Sequence, residues 1–102
     1  MVQPIPPSDI ADAVAALEHW RYDPERRAIH RSLVFPGFVQ ALAAMVEIGF
    51  AAERANHHPE WFNVYDRLDI WLTTHDADGL SEKDLDLARS VDRLVAGRLA
   101  TA

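Results

Sequence analysis

The residues best suited to chemistry are three histidines, two of them adjacent. His57 and His58 stand at the end of a predicted helix and are followed by Pro59, while His75 follows a predicted strand. Imidazole has an ordinary pKa of about 6.5, so it can exchange protons near neutral pH. Trp61, an indole nearby in sequence, would give such a cluster a flat apolar neighbour. This combination suggests proton transfer on a flat heterocycle.

Three other interpretations compete with this one. Three histidines can bind zinc, but adjacent histidines seldom converge on one ion, and no HxH or HExxH spacing occurs here. The serines lie in no nucleophile-elbow context, which disfavours a Ser-His-Asp set. The histidines could also simply end a helix, where cations favour the negative end of the helix dipole. From the residues alone, the structural interpretation and proton transfer both remain open.

The elements that must position these histidines begin with a helix near the amino terminus. Ser8 or Asp9 is a suitable N-cap, and apolar residues then repeat at helical spacing to about Glu18. A final helix is predicted after Ser81, because Ser81 and Asp84 form an acidic variant of the capping box.

The longest periodic segment predicts a helix from Phe38 to about Asn56, which ends because Pro59 disfavours helical dihedrals in the residue before it. We expect its apolar stripe to be the centre of the core. That stripe comprises Phe38, Val39, Leu42, Met45, Val46 and Phe50.

Short extended or alternating segments, separated by turn signals, predict four strands, at 20–22, 28–35, 61–64 and 68–74. The order is therefore α-β-β-α-β-β-α. We expect an α+β fold in which a four-stranded antiparallel sheet has three helices packed on one face. The second hairpin would bring His75 back beside the adjacent histidines.

Composition mainly excludes function classes. The chain has 102 residues, no cysteine and a formal net charge of -6. These features disfavour disulfides, thiolate chemistry, nucleic-acid binding and attachment to anionic membranes. No apolar run approaches a membrane span, so we expect a cytoplasmic protein.

We expect residues 1–7, which hold three prolines, to be extended, and residues 8–102 to form one domain. The small core and the paired-strand architecture favour a dimer.

The histidine motif resembles that of the pterin-4a-carbinolamine dehydratases. The segment from His57 to Tyr65 is similar to that family's core motif, with Glu53 four residues before it. Thr73-Thr74-His75 and the segment 79–84 resemble the second half of the motif. The resemblance extends over about residues 8 to 97.

The resemblance implies a hydro-lyase that converts 4a-hydroxytetrahydrobiopterin to quinonoid dihydropterin and water, in support of tetrahydropterin recycling. It implies no metal, no organic cofactor, a homodimer or homotetramer, and a functional link to an aromatic amino-acid hydroxylase. Animal members of the family also dimerise a homeodomain transcription factor, so a protein-binding regulatory module is an alternative. Another alternative is an enzyme acting on a different pterin, for instance in molybdopterin metabolism.

The resemblance also assigns residue roles. The three histidines would surround the 4a-hydroxyl and N5, with His58 or His75 protonating the leaving oxygen. Glu53, one turn before His57, can orient an imidazole. Asp84 could equally be only the capping-box acid. Six residues are expected to bind substrate or support the histidines: Glu53, Asn56, Pro59, Glu60, Trp61 and Asp84. Animal members have an acid in place of Asn56.

Overall fold

Two antiparallel hairpins, joined through their inner strands, form a four-stranded sheet in the computed structural model, which describes residues 2–101. Strands β1 (Arg21–Asp23) and β2 (Ala28–Val34) form the first hairpin, and β3 (Glu60–Val64) and β4 (Arg67–Leu72) form the second. β2 pairs with β4, which gives the order β1-β2-β4-β3. The predicted strands are confirmed, with ends displaced by one or two residues.

The two faces of the sheet differ because side chains alternate along each strand. One face is covered by helices and carries the largest buried aliphatic side chains, Ile29, Leu33, Leu68, Ile70 and Leu72. The other face carries exposed side chains, among them Ser32, Val34, Phe62 and Val64. The predicted α+β fold with helices on one face of an antiparallel sheet is therefore confirmed.

Helix α1 (Pro7–Ala15) begins earlier than predicted. Its N-cap is Pro6 and no side chain caps it, so the prediction of Ser8 or Asp9 as the cap is wrong. Pro7 suits the first helical position because its missing N–H group would have no intrahelical acceptor there.

Helix α3 (Glu82–Val95) begins with the predicted capping box, in which Ser81 accepts a hydrogen bond from Lys83 N and Asp84 accepts one from Ser81 N. The helix ends at Val95, and the left-handed φ of 79° at Gly97 follows. Leu99 therefore lies beyond the helix.

Helix α2 (Phe38–Ala55) has the predicted bounds but a different buried face. Its buried residues are three alanines and one isoleucine: Ala41, Ala44, Ile48 and Ala52. The predicted core stripe is wrong, because Phe38, Val39, Leu42, Val46 and Phe50 are all exposed and only Met45 packs partly against the core. Alanines allow the α2 backbone to approach α3 and β4 closely, which turns the bulky stripe outward. Within residues 2–101, no helix is long and apolar enough to cross a membrane.

Candidate active site

The end of α2, the start of β3 and the segment after β4 enclose a cleft of about 440 Å³. Small-molecule sites typically measure roughly 300–1,000 Å³, so the cleft can hold a bicyclic ligand. Most of the lining is polar and includes all three histidines of the predicted cluster. The lining residues are Val2, Asn56, His57, His58, Pro59, Glu60, Thr73, Thr74, His75, Asp76 and Lys83.

His57 reaches the cleft through the way in which α2 ends. Asn56 caps the helix in the left-handed conformation, with φ 50° and ψ 44°, which asparagine tolerates better than most residues. The chain therefore turns sharply, and His57 faces α3. Its Nε2 lies 2.6 Å from Asp84 Oδ1; the His57 side chain is 10% exposed and that of Asp84 is fully buried.

Asp84 has two structural partners in addition to His57. Its Oδ2 accepts hydrogen bonds from Thr74 Oγ1 at 2.7 Å and from the Ser81 backbone N–H at 2.9 Å. The sequence left Asp84 open between a cap and a site residue. In the structure one carboxylate makes both contacts: Oδ2 accepts the capping hydrogen bond at the start of α3, and Oδ1 contacts His57.

Glu53 pairs with His58 rather than with His57. Helical i, i+4 spacing favoured His57, but α2 ends at Ala55 and the left-handed Asn56 carries His57 away from the helix face. His58 Nε2 lies 2.7 Å from Glu53 Oε1, and the two side chains are 59% and 78% exposed.

His75 reaches the cleft through the register of the β3–β4 hairpin. Glu60, the first residue of β3, pairs with Trp71 near the end of β4, and His75 begins the single 3₁₀ turn that follows. The hairpin therefore returns His75 to the start of β3, where its Nε2 lies 3.4 Å from Glu60 Oε2. As expected from the hairpin, all three histidines line one cleft.

Trp61 does not line the cleft. It pairs across the hairpin with Ile70 and packs partly buried against the core, because its strand position places it on the helix-covered face. Asn56 and Pro59 do line the cleft, whereas Glu53 and Asp84 reach it only through the imidazoles that they contact.

Thr74 is a site residue that the sequence reasoning missed. It continues the alternation of Leu68, Ile70 and Leu72 and is 4% exposed. A hydroxyl at a core-facing strand position needs a buried hydrogen-bond partner, and this requirement was the available signal. Lys83 and Asp76 also line the cleft without having been predicted.

The three histidines in the cleft are each paired with a different carboxylate. Within residues 2–101, no group of three or more histidine, aspartate or glutamate side chains is placed to hold a metal ion.

A fourth histidine–carboxylate pair lies on the open face of the sheet. His30 Nε2 is 2.9 Å from Asp69 Oδ1, and Arg67 Nε donates to Asp69 Oδ2 at 2.8 Å. Burial raises the pKa of Asp69, but hydrogen bonds from Arg67, His30 and Ser32 outweigh burial and hold that pKa below its ordinary value. The same contact raises the pKa of Arg67. None of these residues lines the cleft.

Comparison with known proteins assigns the chain to a family. The model of the family described as pterin 4 alpha carbinolamine dehydratase matches residues 3–94. The chain belongs to the pterin-4a-carbinolamine dehydratase family. The predicted resemblance is thereby confirmed, and the family name indicates a lyase that dehydrates a pterin carbinolamine.

Curated relatives and a solved structure agree with the pterin-4a-carbinolamine dehydratase assignment. A protein of Burkholderia vietnamiensis, named provisionally as such a dehydratase, is 51% identical over 84% of each chain. One of Rhizorhabdus wittichii, named in the same way, is 47% identical over 91% of this chain and 96% of its own. A transcriptional coactivator/pterin dehydratase from Brucella melitensis has a TM-score of 0.85 and 37% identity, covering 90% of this chain and 98% of its own.

Proposed function

We propose that this protein dehydrates a 4a-hydroxytetrahydropterin to the quinonoid dihydropterin by histidine general acid–base catalysis. The observation that carries the proposal is one cleft lined by His57, His58 and His75, in which each Nε2 faces a different carboxylate. Family membership supports a pterin as the substrate, and the histidines provide the proton donors and acceptors.

The reaction needs two proton transfers and no redox change. The C4a–O bond breaks while the N5 lone pair forms the C4a=N5 double bond. The leaving hydroxyl takes a proton from a general acid and departs as water, and the N5–H proton passes to a general base. One proton is given and one is taken, so a set of imidazoles can complete the cycle.

His57 suits the role of general base. An ionised carboxylate only accepts hydrogen bonds, so the contact with Asp84 assigns the N–H of a neutral His57 to Nε2. Nδ1 then carries the lone pair that can take the proton from N5. As the imidazolium forms, Asp84 stabilises its charge in a buried setting.

His58 and His75 suit the role of general acid. Glu53 and Glu60 place negative oxygens beside their Nε2 atoms. Each carboxylate can accept a hydrogen bond from an N–H group on Nε2 and so orient the ring in the cleft. Both histidines are well exposed, so each can be reprotonated from solvent after turnover.

The chemistry also indicates which classes of reaction form the substrate and consume the product. A 4a-hydroxypterin arises when a monooxygenase, such as an aromatic amino-acid hydroxylase, uses a reduced pterin, and the quinonoid product requires a reductase. Substrates that differ at C6, including those of other pterin pathways, can be compared in one assay to find the physiological pterin.

The test is stopped-flow measurement of 4a-hydroxypterin decay with native protein and with His57→Ala, His58→Ala and His75→Ala. We expect native protein to exceed the spontaneous rate and each variant to lose about 10²-fold, the scale of general acid–base catalysis. His19→Ala is the matched control, because His19 is 54% exposed and lies outside the cleft. A native rate equal to the spontaneous rate would show the proposal to be wrong.

We also infer that the exposed face of α2 is a contact between copies of this chain. Phe38, Leu42, Val46 and Phe50 repeat every four residues and are 44–64% exposed. Such a row forms a ridge that can pack into the groove of a second, identical helix. The only charged residue of α2 before Glu53 is Glu47, and it is already paired with Arg98, so little charge opposes the contact.

Sedimentation velocity of native protein and of Leu42→Glu tests this contact. We expect native protein to sediment as a multimer and Leu42→Glu as a monomer. Gln40→Glu adds the same charge to the same helix outside the row and should leave the multimer intact. A native monomer, or a multimer that Leu42→Glu does not change, would contradict the inference. If the sedimenting mass of native protein instead corresponds to a complex with a different, co-purifying protein, the inference is wrong and the protein-binding regulatory module is favoured.

A further inference from the structure

We propose that Thr74 is a positioning residue that holds Asp84, and through it His57, in the geometry needed for proton transfer. The proposal extends the proposed function to a residue that touches no reacting atom itself. It rests on a buried hydrogen-bond network at the wall of the cleft, formed by Thr74, Ser81, Asp84 and His57.

The direction of each hydrogen bond in this network follows from a count of protons. Thr74 has one hydroxyl proton, and it goes to Asp84 Oδ2 at 2.7 Å. The 2.7 Å contact between Thr74 Oγ1 and Ser81 Oγ must then use the proton of Ser81. Ser81 Oγ in turn accepts from the Lys83 backbone N–H at 3.3 Å. The order of donation is therefore Lys83 N–H, Ser81, Thr74 and Asp84.

This order determines which carboxylate oxygen is left for His57. Two donors, the Thr74 hydroxyl and the Ser81 N–H, both approach Oδ2. Rotation of the carboxylate would break both bonds inside the protein, where a lost partner is not replaced by water. Oδ1 therefore stays directed at His57 Nε2, which is 2.6 Å away. The carboxylate in turn selects the His57 tautomer whose free lone pair is on Nδ1.

Thr74 also links this anchor to a second histidine of the cleft. It precedes His75 in sequence, and its backbone N–H donates to Gly79 O at 2.8 Å while Gly79 N–H donates to Thr74 O at 3.2 Å. These bonds close the loop that begins with His75. One residue therefore contacts the anchor of His57 through its side chain and forms the base of the His75 loop through its backbone.

A merely structural role and a positioning role predict different results. If Thr74 only stabilised the cap of α3, its loss would lower stability and leave the turnover of folded protein unchanged. If Thr74 positions His57, its loss lowers kcat in fully folded protein, because small displacements of reacting groups can cost about 10²-fold. It also releases His57 from a single tautomer.

The experiment compares Thr74→Val with Thr74→Ser, which keeps the hydroxyl. We expect Thr74→Val to lower kcat roughly 10- to 100-fold and Thr74→Ser to restore most of it. In ¹H–¹⁵N spectra of the imidazoles, His57 should carry its proton on Nε2 in native protein and in Thr74→Ser, and should become a tautomer mixture in Thr74→Val. Val91→Ala, a core truncation in α3 outside the network, should lower stability and keep kcat.

Several outcomes decide the proposal. Unchanged kcat and an unchanged His57 tautomer in folded Thr74→Val would overturn it, and so would equal losses in Thr74→Val and Thr74→Ser. If Thr74→Val does not fold, Thr74→Ala, which has no γ-methyl groups to place beside Asp84, is measured in the same way. If native protein shows no dehydration, the proposed function fails, whereas the tautomer spectra still test the role of Thr74.

Discussion

His57 and His58 are adjacent in sequence and make nearly identical contacts, yet they lie in different environments. Their Nε2 atoms are 2.6 Å and 2.7 Å from a carboxylate oxygen. The His57 and Asp84 side chains are 10% and 0% exposed, whereas those of His58 and Glu53 are 59% and 78% exposed. Burial, and not contact distance, should therefore decide what each pair contributes, because solvent screens the exposed pair and cannot replace a lost partner in the buried one.

Two further pairs extend this comparison. The side chains of His30 and Asp69 are 28% and 7% exposed, and those of His75 and Glu60 are 84% and 45% exposed. If burial determines the energy, loss of the carboxylate should cost most for Asp84, less for Asp69 and least for Glu53 and Glu60.

The largest effect is expected for Asp84→Ala. It leaves the His57 N–H, the Thr74 hydroxyl and the Ser81 N–H without their acceptor. We expect the free energy of unfolding to fall by about 3–5 kcal/mol, the cost of removing one partner of a buried pair. Urea unfolding at pH 7, followed by tryptophan fluorescence, measures it. A loss no larger than that of Glu53→Ala would contradict the burial argument.

An intermediate effect is expected for Asp69→Asn, which keeps the shape but removes the charge that Arg67 and His30 contact. We expect a loss of about 1.5–3 kcal/mol at pH 7, typical of hydrogen bonds to a charged group.

The effect of Asp69→Asn should also depend on pH. The pKa of Asp69 is lower in the folded protein than its ordinary value. Its stabilisation is therefore complete above the unfolded pKa of about 3.9 and is lost as the pH falls through the folded value. The difference between native protein and variant should shrink below about pH 4. Urea unfolding at a series of pH values measures this, and a difference that grows on acidification would contradict the sign.

The smallest effects are expected for Glu53→Gln and Glu60→Gln. Both carboxylates are exposed, so each substitution should change the free energy of unfolding by less than about 1 kcal/mol. Added salt should remove most of that change. Asp86→Asn is the matched control, since Asp86 forms an exposed pair at 2.9 Å with an arginine, Arg89, and not with a histidine. If Glu53→Gln or Glu60→Gln lowered the free energy of unfolding as much as Asp69→Asn does, burial would not determine what these pairs contribute.

Local patterns predicted most of the fold. Alternation and turn signals located the four strands, helical periodicity located α2 to within one residue, and the Ser81–Asp84 spacing located the start of α3. Each of these signals acts between residues a few positions apart, where backbone geometry alone decides the outcome. The predicted second hairpin also correctly returned His75 to the adjacent histidines.

Three predictions about the surroundings of side chains failed. The bulky stripe of α2 is more hydrophobic than its alanine face, yet the alanine face is buried because it lets α2 approach α3 and β4. Trp61 was expected beside the substrate, but its strand position places it against the core. Glu53 was expected to orient His57 and contacts His58 instead.

The sequence by itself determined the order of elements, the capping box and the presence of the three histidines, because spacing along the chain specifies local conformation. Tertiary structure decided which carboxylate meets which histidine and which helix face is covered. Asp84 lies 27 residues from His57, and Thr74 lies 10 residues from Asp84. No local pattern specifies such contacts, since they depend on where α3 packs relative to the end of α2.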